Sequence, residues 1–109
     1  MPRYIAQTSR RFDKAVERLK ARGVSTDLVR HVMSALIEGE TLPPERKDHP
    51  LKGDLKPYRE CHLGGDLVLV YKKFVVVEVL RGGPRGKQKV ETRYIRFVHV
   101  GRHTDVFEE

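Results

Sequence analysis

The stretch YRECHLGGDLVLVYKKFVVVEVL, residues 58–80, decides the fold. Its hydrophobic period is two. Tyr58 to Leu63 reads as a strand, Gly64-Gly65 as a tight turn, and Leu67 onward as a second strand. The run Leu67-Val68-Leu69-Val70-Tyr71 is apolar on both faces, which suits a central strand, and it continues through Phe74 to Leu80. In the first strand His62 alternates with Tyr58 and Glu60, while Cys61 and Leu63 point to the other face. Cys61 therefore reads as a small buried hydrophobe and not a nucleophile.

Downstream, Gly82-Gly83-Pro84-Arg85-Gly86 reads as a turn or flexible tip, and Val90 to Val100 returns as a further strand. Upstream the period changes to that of helices. Phe12, Val16 and Leu19, with Ala15 beside them, form one stripe capped by Thr8 or Ser9 and stopped at Gly23. The opposite face carries Arg10, Arg11, Lys14, Arg18 and Lys20 and reads as a solvated face, with RNA contact as the alternative. Leu28, Val29, Val32, Met33, Leu36 and Ile37 form a second stripe, with Ser25 or Thr26 as its cap and Gly39 as its end. Arg3 to Gln7 supplies a short first strand. The expected fold is α+β, in the order β-α-α-β-β-β: a two-helix hairpin on one face of an antiparallel sheet, with an extended last hairpin. The helices cover one sheet face, so the set containing His62 belongs to the uncovered one.

Length and charge agree with a single domain over residues 1–109. The chain has 22 Lys+Arg against 15 Asp+Glu, a net charge of +7 that points to a polyanionic partner. One cysteine excludes an internal disulfide and suits a reducing compartment. No run approaches a membrane span, and Met1 to Arg11 has no apolar signal-peptide core, so a cytoplasmic protein without membrane contact is expected.

Histidine carries the chemistry. His49 lies in a Pro-rich loop from Glu40 to Pro57, which is long enough to suggest function. His62 lies on a strand, Asp66 follows the Gly-Gly turn, and His99 and His103 stand near the end. The chain has no helical H-x-x-x-H pair and no paired cysteines, so no metal or other cofactor is expected. Imidazoles amid lysines and arginines suit RNA cleavage by acid–base chemistry. In that reaction the 2′-hydroxyl attacks its own phosphate and positive charge steadies the phosphorane.

Three elements occur together: Asp48-His49-Pro50-Leu51, Cys61-His62, and Gly101-Arg102-His103 followed by Phe107 in a G-x-H-x-x-x-F pattern. In that order, and with Asp66 and Leu69-Val70-Tyr71-Lys72 between them, the chain resembles the YafQ family of RelE-superfamily toxins from bacterial type II toxin–antitoxin systems. The resemblance implies metal-independent, ribosome-dependent cleavage of mRNA, with the ribosome, the message and a cognate antitoxin as partners. It implies catalytic roles for His49, His62, Asp66 and His103, with His103 as acid, and an auxiliary role for Phe107.

The chain departs from the family pattern in three places. His99 stands where the family has a phosphate-binding arginine: either it joins the site as a further imidazole, or Arg96 or Arg102 takes the arginine's role. Leu67 replaces a tryptophan. The last hairpin is longer, and between Arg81 and Arg102 its Arg81, Arg85, Lys87, Lys89, Arg93, Arg96 and Arg102 face only Glu91, a surface suited to an RNA backbone. A non-catalytic toxin or binding protein on the same scaffold, gyrase-inhibiting or RNA-binding, is the alternative left open.

Overall fold

The computed structural model describes residues 3–84 and 86–103, so Arg85 and Phe107 lie outside the described residues. The elements are β1 (Ile5–Thr8), α1 (Arg10–Ala21), α2 (Asp27–Ile37), β2 (His49–Pro50), β3 (Arg59–Gly64), β4 (Leu67–Leu80) and β5 (Gln88–Arg102). They build one five-stranded sheet in the order β1-β5-β4-β3-β2.

The α+β layering is as expected, but the sheet is mixed and not purely antiparallel. β1 lies parallel to β5, with Ile5 beside Tyr94 and Thr8 beside Phe97. Parallel neighbours need a long crossover, and both helices and three strands intervene here. The second difference is β2, a two-residue strand inside the segment expected to be loop. The tight turn also sits one residue later than expected, at Gly65-Asp66, because Gly64 still belongs to β3.

Each helix buries the stripe that its spacing defines. Phe12, Ala15 and Leu19 of α1 and Val29, Val32 and Leu36 of α2 pack on Cys61, Leu63, Leu69, Tyr71, Ile95, Phe97 and Val100. Ser9 fixes where α1 starts. Its hydroxyl accepts from the Phe12 amide at 3.0 Å and donates to the Val98 carbonyl at 2.9 Å. Val98 is the extra residue of a bulge, since Val70 pairs with His99 while Tyr71 pairs with Phe97. The cap thus ties the helix layer to the strand segment that carries His99. Gly23, at φ 76°, ends α1 in the left-handed conformation that glycine adopts without steric cost.

Pairing with β3 stops at Tyr71 and pairing with β1 at Tyr94, so β4 and β5 continue alone as a two-stranded ribbon. The ribbon contributes to an elongated shape of 57 × 28 × 28 Å. Val75, Val77 and Val79 on it are half exposed. Among the described residues no helix is long and apolar enough to cross a membrane.

Candidate active site

The site begins with the dipeptide Asp48-His49, whose two side chains go to opposite sides of the sheet. Asp48 turns to the side that carries Tyr71. Its Oδ1 accepts from the Tyr71 hydroxyl at 2.6 Å and from Arg59 Nε at 3.1 Å. Tyr71 is fully buried. Burial, reinforced by the neighbouring Asp48 carboxylate, pushes its phenol far above the ordinary value, so it stays a donor. With Asp48 anchored, His49 falls on the open face, where β2 pairs with β3 and His49 stands directly beside Glu60. The Leu51 amide, donating to the Tyr58 carbonyl at 2.9 Å, holds the other end of β2.

Three imidazoles converge on one carboxylate oxygen. Glu60 Oε1 lies 3.2 Å from His103 Nδ1, 3.4 Å from His49 Nε2 and 3.6 Å from His62 Nε2. Glu60 is 0% exposed, while the side chains of His49, His62 and His103 are 47%, 30% and 50% exposed, so the carboxylate is the floor and the imidazoles are the rim. The register explains the convergence. His49, Glu60, Val70 and His99 occupy one cross-strand row, and His62, Val68 and Gly101 the next. Gly101 presents no side chain in that row. The imidazole of His103, two residues on, reaches Glu60 across the same face. His103 is held there by its amide, which donates to the Asp66 carbonyl at 2.9 Å.

The tautomer of His49 follows from its partner. His49 Nδ1 lies 3.0 Å from the Pro50 carbonyl, which can only accept, so Nδ1 carries the hydrogen and Nε2 faces the cluster. The ligand atoms of His49, Glu60 and His62 also lie within 4.8 Å of one another, a grouping that one borderline cation can accept.

The structure therefore brings together His49, His62 and His103 from the expected set. Asp66 joins through its backbone, on an exposed turn. His99 is buried in the row beside Val70, at the edge of a cleft of about 630 Å3. Arg102 lines the same cleft with Arg10, Arg11, Lys14, Arg18 and Arg22, so the basic face of α1 forms a wall next to the strand end that leads to His103. Arg96 is held elsewhere. Its Nε and Nη2 donate to Gln7 Oε1 at 3.1 and 2.8 Å, and its guanidinium lies 5.2 Å from the Phe74 ring centre. Lys89 pairs with Val79 in the ladder, and Lys87 lies beyond it near the ribbon tip. That places them roughly 30 Å along the strands from the Val70 row, at ~3.3 Å per residue. They are not brought to the cluster.

Cys61, on the reverse side of the strand from Glu60 and His62, is fully buried. Burial, and then the nearby Asp48 charge, push its thiol up to about 12. It is core, as its position in the alternation predicts.

The residue that sequence reasoning missed is Glu60. Its signal was present in the alternation, which put it on the same face as His62. A glutamate on an uncovered face ordinarily reads as solvated, and only the pairing with β2 shows that it is covered.

Residues 4–83 match the sequence family described as "Bacterial toxin of type II toxin-antitoxin system, YafQ". The mRNA interferase toxin YafQ of Escherichia coli K12 is 28% identical over 100 residues, covering 91% of this chain and 90% of that protein. A solved structure of the E. coli DinJ–YafQ toxin–antitoxin complex superposes with TM-score 0.73 at 27% identity, covering 98% of this chain and 100% of that one. A metal-bound toxin from Helicobacter pylori superposes with TM-score 0.71 at 34% identity, covering 95% of this chain and 99% of that one.

Proposed function

Because the chain belongs to the YafQ family of type II toxin–antitoxin toxins, we propose that it is an mRNA interferase that cuts messages on the ribosome without a metal. The observation that carries this reading is the convergence of three part-exposed imidazoles on the buried Glu60 carboxylate. In the reaction, the 2′-hydroxyl of one nucleotide gives its proton to a base and attacks the adjacent phosphorus. The bond from phosphorus to the 5′-oxygen breaks, and that oxygen takes a proton from an acid. The products are a 2′,3′-cyclic phosphate and a 5′-hydroxyl.

His49 is the base. Its Nδ1–H is occupied by Pro50, so Nε2 is the atom that accepts the proton. His103 is the acid, steadied by the hydrogen bond that its backbone amide donates to the Asp66 carbonyl. Glu60 acts through the imidazoles, since it is covered by them. It orients their rings and offsets the positive charge that each gains during turnover. His62 completes the rim, and Asp66 contributes its backbone. The basic cleft of α1 and Arg102 supplies a path for RNA phosphates leading to His103. A cognate antitoxin holds the toxin inactive through an acidic segment laid on this basic surface.

His49, Glu60 and His62 would be the residues to hold a cation, which would supply Lewis acidity there. It would also occupy the Nε2 lone pair that the proposed base needs, so the reading here is a metal-free reaction. A non-catalytic toxin has no use for three imidazoles on one buried carboxylate. Induction of the wild-type chain and of His103→Ala tests the proposal. Arrest is expected only with the first, and equal arrest by both would remove His103 from the chemistry.

A further inference from the structure

On the same sheet face as the histidines, β4 carries Lys72 and Phe74, two and four residues on from Val70, the ladder neighbour of Glu60. These positions lie ~7 and ~13 Å along the strand from the cluster. Around them is an array of rings and cations that the cleavage chemistry does not use. Phe74 and Tyr94 stand opposite each other in the ladder with ring centres 5.3 Å apart and planes at 18°. The Lys72 ammonium lies between two rings, 5.5 Å from the centre of Tyr58 and 5.9 Å from that of Phe74. Arg96 covers Phe74 from β5 at 5.2 Å, and Gln7 fixes its orientation through two hydrogen bonds.

From this geometry we infer that Tyr58, Phe74 and Tyr94, with Lys72 and Arg96, form a platform that binds unpaired RNA beside the cut. The inference rests on the RNA-cleaving reading above and extends it to a substrate subsite. Unpaired bases stack on aromatic faces, and the phosphates between them need cations at ring height. Both are supplied here in one line that leads away from the imidazoles. Phe74 and Tyr94, half-buried on paired strands, lose little freedom on binding, so this part of the platform is organised in advance. Phe74 and Tyr94 lie at the root of the long hairpin, which assigns the extension a purpose: it lengthens the sheet face over which the message is held.

The test uses purified full-length chain cutting a message on programmed ribosomes, with the rate followed against toxin concentration. F74L/Y94L keeps apolar, strand-compatible side chains but removes both rings. It is expected to raise the half-saturating concentration about tenfold, the scale of one lost stacking contact, with the rate at saturation within twofold of wild type. F74Y/Y94F, which keeps the rings, is expected to restore wild-type behaviour. The inference fails if F74L/Y94L has unchanged half-saturation, whatever its melting temperature. It fails equally if F74Y/Y94F is as impaired as F74L/Y94L, or if only antitoxin affinity changes. A wild-type chain that cuts nothing would count against the function itself, a different result from any of these.

Discussion

The Tyr71 hydroxyl donates to Asp48 Oδ1 at 2.6 Å, so a buried phenol of the core positions the residue next in sequence to a site histidine. Removing that hydroxyl should act at a distance. Tyr71→Phe leaves the ring packing in place and takes away a hydrogen bond to a charged group, a loss of about 1.5–3 kcal/mol. Chemical denaturation should show that loss, and message cleavage should fall as well because His49 is no longer held opposite Glu60. Full activity in a destabilised Y71F protein would show that the anchor does not govern His49.

Glu60 gives a sharper separation of structure from chemistry. Glu60→Gln preserves shape and burial but removes the charge that faces three imidazoles. We expect a folded protein whose cleavage rate at saturation drops by ~10²-fold or more, on the scale of acid–base catalysis. A saturating rate matching wild type would leave Glu60 without a part in turnover.

The core thiol sets a pH limit. In the fold, burial pushes Cys61 up to about 12 from an ordinary value near 9, so the protonated thiol favours folding. The sign follows from linkage: this contribution is complete below about pH 9 and is lost as pH rises toward 12. Tyr71, also raised, works in the same direction. Unfolding free energy should therefore decline above pH 9, and Cys61→Ala should flatten part of the decline while lowering stability at neutral pH. Folded protein should resist thiol reagents at pH 8 and react once denatured.

Cations should inhibit. If Zn2+ or Cu2+ enters between His49, Glu60 and His62, it takes the imidazole lone pairs that the reaction uses. Cleavage should persist in excess chelator and fall on addition of either ion, and His62→Ala should weaken that inhibition. Loss of activity in chelator, recovered by added metal, would replace the proposed mechanism with a metal-dependent one.

The sequence carried the helices, the long strands and the two-faced character of β3, because each is written as a period in consecutive residues. It carried three of the histidines that meet in space, through short motifs separated by long stretches of chain. Contacts made only by register were not legible. β2 is two residues long and includes a proline, too short for any alternation to show. The parallel pairing of β1 depends on β5, at the far end of the chain. Glu60 looked like an exposed charge until the imidazoles covered it, and Asp48 gave no sign of reaching Tyr71. Arg96, a candidate for the scissile phosphate, is held by Gln7 and Phe74 away from the imidazole cluster.

The central claim is cleavage of translated messages by the imidazole cluster. Mapping the 5′ ends of cellular transcripts after brief induction tests it most directly. The wild-type chain should give new ends within translated reading frames, which vanish when a message's start codon is removed and are absent with His49→Ala. Unchanged transcripts, or the same ends with His49→Ala, would contradict the account.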